Sequence, residues 1–480
     1  MLSPALAQAS VSASSLSASS VSASSSAPSS ASVNACRADL ARQIEAITSQ
    51  PQLRQARWGI LAQTLEAQPQ TLYAQNADQR LIPASNVKLL TTAAALNQLG
   101  ANFQIRTSVY QIPTPQQTTL RVVGRGDPSF GDRQLQDLAR QIAARGLRQV
   151  DTLLADDRYF RGVFVNPTWE PEDIQAGYGA PLNSLILNEN AIGLTLIPQA
   201  LGQPLAVQWD KPAEGEGWQI VNQSQTVAPT ASEFLDVGRD LNRPVLYVRG
   251  QLRAGSAAEP VALSIPEPTQ NFLEQLRQVL ASQQIPVGQA EIASDATWTG
   301  REVGVILSPP LAELLIETNQ QSNNLYAEAL LRQLGVNQTT SLSPLAAGIN
   351  ALRQDLTRLG VSPNYLLADG SGLSRQNAVS PRVFVDLLSA MANSPNAALF
   401  RSSLSTAGIS GTLKNRFQNT AVQGQLQGKT GFMTGVAALS GYLQTPTPLV
   451  FSILVNQPQG SGLPGTIDAI VNLLYKQGSC

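Results

Sequence analysis

"PASNVKLLTTAAALNQLG", residues 83–100, sets apolar residues at helical spacing behind a proline and so predicts a helix. One lysine interrupts it. The chain has five lysines, Lys88, Lys211, Lys414, Lys429 and Lys476, and the other 27 of its 32 basic residues are arginines, so a lysine three places after Ser85 needs a reason. Positions i and i+3 share a helix face about 5–6 Å apart, which brings the Lys88 amine within reach of the Ser85 hydroxyl. Pro83 and Ala84 place Ser85 in the first turn, where free backbone N–H groups and the helix dipole favour developing negative charge. Lysine releases its proton when desolvated and arginine does not, so Ser85 and Lys88 fit a nucleophile and its general base.

Composition narrows the chemistry further. A chain of 480 residues, 43% of them hydrophobic, has room for about three domains. Its net charge of -1 offers no basic field to nucleic acid and no polybasic patch to a membrane. With no histidine, Ser/His/Asp and Cys/His catalysis are excluded and the commonest transition-metal ligand is missing. Two cysteines, Cys36 and Cys480, are too few for a thiolate zinc site, and no metal or other cofactor is expected. No run of about 18 apolar residues predicts a membrane span. Residues 1–35, small, polar and uncharged up to Cys36, predict a disordered tail. Within them "PALAQA" has the small-residue pattern of a signal-peptidase site, without the basic and apolar regions that normally precede one; export is the expectation.

Working outward from residue 83, "CRADLARQIEAITSQ" has helical spacing, and "RWGILAQTL" and "QTLYAQNADQ" alternate like hairpin strands. From about 105 to 290 the texture turns to short strand-like runs such as "TTLRVVGRG" and "RPVLYVRGQL", split by Pro, Gly and Gln. Helical periodicity returns in "LAELLIETNQQSNNLYAEALLRQLG", and strands follow in "QLQGKTG", "VAALSGYLQT" and "PLVFSILVN" before a closing helix, "GTIDAIVNLLYKQ". This order predicts an α+β fold: one domain built from residues 36–104 and 291–480, its antiparallel sheet flanked by helices, around a strand-rich insertion of two nested subdomains at 105–290.

Two further motifs carry chemistry. Ser-x-x-Lys alone is weak, since about half a match arises by chance, whereas Lys429-Thr430-Gly431 on a strand-like stretch has only about 0.03 chance matches. A lysine and a threonine hydroxyl facing a cleft make a carboxylate receptor, and Gly431 would let a substrate lie close to the strand. Ser322 and Asn324 stand before a helix, where Ser-x-Asn is by itself an ordinary N-cap. In combination, Ser322 can relay a proton and the Asn324 amide can hold a peptide bond.

In the order Ser-x-x-Lys, Ser-x-Asn, Lys-Thr-Gly these motifs match the set shared by penicillin-binding proteins and β-lactamases. Ser85 and Ser322 stand 237 residues apart (322 − 85), far more than one domain needs. The chain therefore resembles the class C low-molecular-mass penicillin-binding proteins, the D-alanyl-D-alanine carboxypeptidase/endopeptidase family of penicillin-binding protein 4 type. The resemblance runs from residue 37 to 478 and includes "GRGDPSF" (124–130), "ADDRYF" (155–160), "YGAPLNSLILNENAIGL" (178–194) and "DGSGLSRQNAVSP" (369–381).

It implies a transpeptidase-like domain with a nested two-domain insertion, a serine acyl-enzyme, export to the periplasmic or cell-wall compartment, peptidoglycan stem peptides as substrate and β-lactams as covalent inhibitors. By position, Ser85 would be the nucleophile, Lys88 its base, and Ser322 with Lys429 the proton relay. Asn324 would bind the peptide backbone, Thr430 the terminal carboxylate, and the N–H groups of Ser85 and Phe432 the oxyanion. Arg375, Met433, Thr434 and Asp156 fall where the family contacts the stem peptide's diamino acid; a turn arginine and a strand-end cap are the plain alternatives for Arg375 and Asp156. The family usually has Ser or Thr where this chain has Phe432, so the hydroxyl that would share the substrate carboxylate is absent. Three functions stay open: an active D,D-peptidase, a serine esterase or β-lactamase-like hydrolase, and a non-catalytic peptidoglycan-binding protein. Both chain ends belong to one domain, so their helices are expected side by side, with a Cys36–Cys480 disulfide rather than two free thiols.

Overall fold

The computed structural model describes residues 30–113, 117–295, 297–336, 342–457 and 462–477. Residues 1–29 and Cys480 lie outside the described residues, and with them most of the expected tail and the disulfide. Helix α1 (Ser30–Thr48) begins inside the stretch read as a tail. Strands β1 (Arg57–Thr64) and β2 (Thr71–Gln75) follow as the expected hairpin, and α2 (Val87–Leu99) is buried from Val87 to Leu96, Lys88 included.

Next comes a five-stranded sheet. Strands β3 (Arg106–Pro113) and β4 (Thr118–Val123), helix α3 (Asp132–Ala144) and strand β5 (Val150–Asp156) open it. The chain then leaves it for β6 (Ala191–Ile197), β7 (Ala206–Trp209), β8 (Gln219–Val227), β9 (Phe234–Arg239), β10 (Val245–Arg253) and β11 (Glu259–Ser264). These form two three-stranded sheets, β8-β10-β9 and β11-β6-β7, around a shared core of Leu194, Leu196, Leu246, Val248 and Leu263. Helix α4 (Pro268–Ser282), β12 (Val287–Ile292) and β13 (Arg301–Leu307) return to complete the order β12-β5-β4-β3-β13.

Two findings differ from the sequence reading here. Strand β13 pairs with β3, Ile306 opposite Thr107, so this sheet takes strands from both sides of the expected 290/291 boundary. Helices α3 and α4, unforeseen in a strand-rich stretch, cover the sheet with Leu135, Leu138, Ile142, Phe272 and Leu276.

The remaining chain supplies α5 (Leu311–Gln320), α6 (Asn324–Val336), α7 (Pro344–Arg358), a short β14 (Tyr365–Leu366) and β15 (Ala378–Val379) pair, α8 (Pro381–Ala392) and α9 (Ala397–Ser402). Strands β16 (Ser405–Thr406), β17 (Leu426–Met433), β18 (Val436–Leu443) and β19 (Leu449–Asn456) precede α10 (Leu463–Gln477). The last four strands join the first two in one antiparallel sheet, β16-β17-β18-β19-β1-β2, with Trp58 opposite Val455. Strands β18 and β19 are buried throughout because helices cover both sheet faces. On one face α1 and α10 pack together through Leu40, Ile44, Ile467, Ile470, Val471 and Leu474. On the other lie α2, α5, α6 and α8. Between 105 and 307 the chain rests against α6, where Phe160, Ala180, Leu182 and Ile186 meet Leu325 and Ala329. Among the described residues no helix is long and apolar enough to cross a membrane.

Candidate active site

Ser85 sits in a single 3-10 turn, Ala84–Asn86, that runs directly into α2. Ala84 holds φ +47°, a left-handed value uncommon for a residue with a Cβ. Two glycines close on this turn. A Cβ at Gly372, itself at φ +84°, would lie 1.9 Å from the Ala84 carbonyl oxygen, and one at Gly431 would lie 2.6 Å from that of Pro83. Gly431 thus admits the turn that carries Ser85, where the sequence reading expected it to admit substrate. Asn86 Nδ2 donates to Ser440 Oγ at 2.7 Å and ties the turn to β18.

The Lys88 ammonium donates to Ser85 Oγ at 2.9 Å, Asn324 Oδ1 at 2.6 Å and the Ser371 carbonyl at 2.7 Å. It is 0% exposed. Burial pulls its pKa down to about 7, and the charges of Asp369 and Glu328 keep it from falling further. Both carboxylates accept from backbone N–H groups of the loop that follows β14. Glu328 of α6 accepts from the N–H groups of Gly370 and Ser371 at 2.8 and 2.9 Å, and Asp369 from those of Gly372 and Ser374 at 2.8 and 2.6 Å. Glu328 is itself raised, first by burial and then by Asp369, with the buried Arg332 at 3.4 Å opposing the rise.

The second lysine belongs to β17. Lys429 Nζ donates to Ser322 Oγ at 2.9 Å and to the Thr430 carbonyl at 2.8 Å. Its pKa is lowered by burial and then by the charge of Lys88. Ser322, at φ +60°, breaks the periodic stretch 311–335 into α5 and α6 and turns its hydroxyl toward Lys429. Asn324 is committed on both amide atoms, its Nδ2 donating to the Tyr178 carbonyl at 2.9 Å. Thr430 Oγ1 lies 2.7 Å from Thr412 Oγ1, so a second hydroxyl stands beside that of Thr430.

A cleft of about 550 Å³ opens over Ser85, Ser322 and Asn324. Arg375, Phe432, Met433 and Thr434 line it, with Gly372, Leu373, Tyr178, Glu170, Glu172 and Asp173. Arg375 is held at the rim by Glu170 at 3.1 Å and by the Thr434 carbonyl at 3.2 Å. Phe432 is 70% exposed there. Asp156 lies elsewhere. It is buried at the end of β5 against Arg158 and Arg121, at 2.6 and 3.1 Å, and does not line the cleft; two guanidinium groups hold it in the sheet. Thr412, Glu328, Asp369 and the acidic rim escaped the sequence reading. Asp369 alone carried a signal, standing in a quoted motif beside Gly370 and Gly372.

A family model described as D-Ala-D-Ala carboxypeptidase 3 (S13) matches residues 40–477. The chain is 33% identical over 453 residues to the D-alanyl-D-alanine carboxypeptidase of Actinomadura sp. (strain R39), covering 90% of this chain and 84% of that one. Its fold is similar to penicillin binding protein 4 from Haemophilus influenzae, with a TM-score of 0.79 at 22% identity over 91% of this chain and 99% of that one. A second structure of that protein, complexed with a β-lactam, gives a TM-score of 0.72 at 21% identity, covering 92% and 98%.

Proposed function

The chain belongs to the D-Ala-D-Ala carboxypeptidase 3 (S13) family of serine peptidases, and from that premise we propose that Ser85 forms the acyl-enzyme, with Lys88 as its base. One observation carries this reading: a buried lysine, its pKa brought to about 7, within 2.9 Å of a hydroxyl at the floor of an open cleft. The neutral amine takes the hydroxyl proton as Ser85 attacks the D-Ala carbonyl. The backbone N–H groups of Ser85 and Phe432 receive the oxyanion. Ser322, bonded to Lys429, passes a proton to the leaving amine.

Beyond Gly428 the edge of β17 away from β18 has no strand partner among the described residues, since β16 pairs only with Gln427 and Gly428. An extended stem peptide can add there, its terminal carboxylate at Thr430 and Thr412. Arg375, Met433 and Thr434 then face the peptide's diamino acid. Stem peptides lie outside the cytoplasmic membrane, so the enzyme acts as an exported protein, and β-lactams acylate Ser85.

Fluorescent penicillin labelling followed by digestion of purified muropeptides tests the function. Stable label with release of D-alanine or of cleaved cross-links is expected. Rapid loss of label would mark a β-lactamase-like hydrolase, and no label with no product a binding protein.

Phe432 gives a narrower test. It stands two residues beyond Thr430 on the same strand face, where a Thr side chain would reach the carboxylate. A hydrogen bond to a charged group is worth about 1.5 kcal/mol at the low end of its range, the end expected with Thr412 already present. Phe432→Thr should therefore raise kcat/KM on a D-Ala-D-Ala peptide about tenfold, and change a carboxylate-esterified analogue much less. Equal effects on both substrates would make Phe432 a packing residue.

A further inference from the structure

We propose that Glu189 is a positioning residue for the Ser-Asn-Asn turn at 322–324, reaching it from the segment between β5 and β6 and holding Asn323 so that Ser322 and Asn324 stay aimed at the two lysines. The proposal rests on the acyl-enzyme reading above.

Asn188, Glu189 and Asn190 have φ of +50°, +57° and +52°, three successive left-handed residues without a glycine. Such strain persists only where the surroundings impose it, and it gathers at functional sites. The flanking asparagines supply the constraint. Asn188 Nδ2 donates to Asp132 Oδ1 at 2.7 Å, and the buried Asn190 donates to the Pro181 carbonyl at 2.8 Å and to Asn183 Oδ1 at 3.0 Å. Between these two anchors the Glu189 carboxylate is delivered to one place: its Oε2 accepts from Asn323 Nδ2 at 2.8 Å.

Asn323 is the hinge of the catalytic turn. Its Oδ1 accepts from Tyr326 N at 3.2 Å and so caps α6, while Glu189 takes the other end of its amide. On one side of it Ser322, at φ +60°, meets Lys429; on the other Asn324 meets Lys88. A capped helix needs only the Asn323 oxygen. The bond to Glu189 fixes the rotation of the amide as well, and with it the path of the backbone through two residues that must point in different directions.

The charges nearby show that Glu189 is not there for a counter-ion. Its side chain is exposed at the surface, and its pKa is raised by partial desolvation and by Glu317 and lowered by the bond from Asn323.

The test uses the full chain, the rate of acylation by a fluorescent penicillin, and thermal melting. Glu189→Ala should acylate about tenfold more slowly, the effect of losing one hydrogen bond to a charged group, while Glu189→Gln, whose amide oxygen still accepts from Asn323, should stay close to the parent rate. Asn323→Asp keeps the cap on Tyr326 N but sets a carboxylate against Glu189, and it should be slow as well. Adding Glu189→Gln to it should restore the rate, because the new amide can donate to that carboxylate.

The proposal is overturned if Glu189→Ala acylates like the parent, if Glu189→Gln is as slow as Glu189→Ala, or if Asn323→Asp is indifferent to the residue at 189. Should Glu189→Ala fail to fold, the Asn323→Asp pair decides, since it leaves the strained turn intact. A parent chain that takes no label would instead sink the acyl-enzyme reading itself.

Discussion

Ser85→Ala is expected to take up no covalent penicillin and release no D-alanine from muropeptides, while melting within a few degrees of the parent. Losing the nucleophile of an acyl-enzyme costs about 10⁶-fold in kcat, more than any other single change here. Little folding energy goes with it. Among the described residues the Ser85 hydroxyl has one partner, Lys88, and that ammonium keeps its bonds to Asn324 Oδ1 and the Ser371 carbonyl. The stability lost is then about one ordinary hydrogen bond, roughly 1 kcal/mol. Intact-protein mass spectrometry after penicillin treatment, beside a melting curve, checks both halves. A penicillin adduct on the folded variant would move the nucleophile to another residue, Ser322 first.

How much of this site could be read in advance depended on how far apart its parts lie in the chain. Ser85 and Lys88 are one helical turn apart, and Lys429-Thr430-Gly431 is contiguous, so residue type and spacing were enough to find them. What tunes them is distant. Lys88 meets Asn324 and Ser371 across 236 and 283 residues, and Glu328, four residues before Arg332, has the look of a solvated i,i+4 pair on an ordinary helix. Only burial shows that its charge acts on the lysine. Asp156 failed for the converse reason: Arg158 beside it was visible, but Arg121 arrives from a neighbouring strand and turns a possible cleft carboxylate into part of the sheet.

The fold divides in the same way. The αββα opening and the closing strands have strong local patterns, and the α+β reading follows from them. Helix α3 had its pattern too, Leu135, Leu138 and Ile142 on one face, but it lay among strand-like runs and the prevailing texture hid it. Strand β13 could not have been assigned locally at all. Its partner β3 is fixed by a pairing across the whole intervening segment, and a seven-residue strand carries no mark of which sheet it joins.

Lys88→Arg is expected to acylate about 10²–10⁴-fold more slowly than the parent, close to Lys88→Ala, although it keeps the positive charge. The reason is the protonation state the site is built to hold. Burial brings Lys88 to about 7, and with Asp369 and Glu328 behind it the amine is poised between its two forms near neutral pH. Since the neutral form is the base, acylation by the parent should rise with pH through about 7 and then level, as the ammonium present below that pH gives up its proton. A guanidinium stays protonated throughout, so the variant should lose both the rate and this rise.

Lys429 is the rival base. Burial and the charge of Lys88 both lower its pKa, but its bond is to Ser322 and not to Ser85. The pH dependence of penicillin acylation separates them. If Lys88→Arg retains a parental rate, or keeps the same rising limb at a reduced rate, the proton of Ser85 goes to Lys429 through Ser322, and Lys88 serves only to hold Asn324 and the Ser371 carbonyl in place.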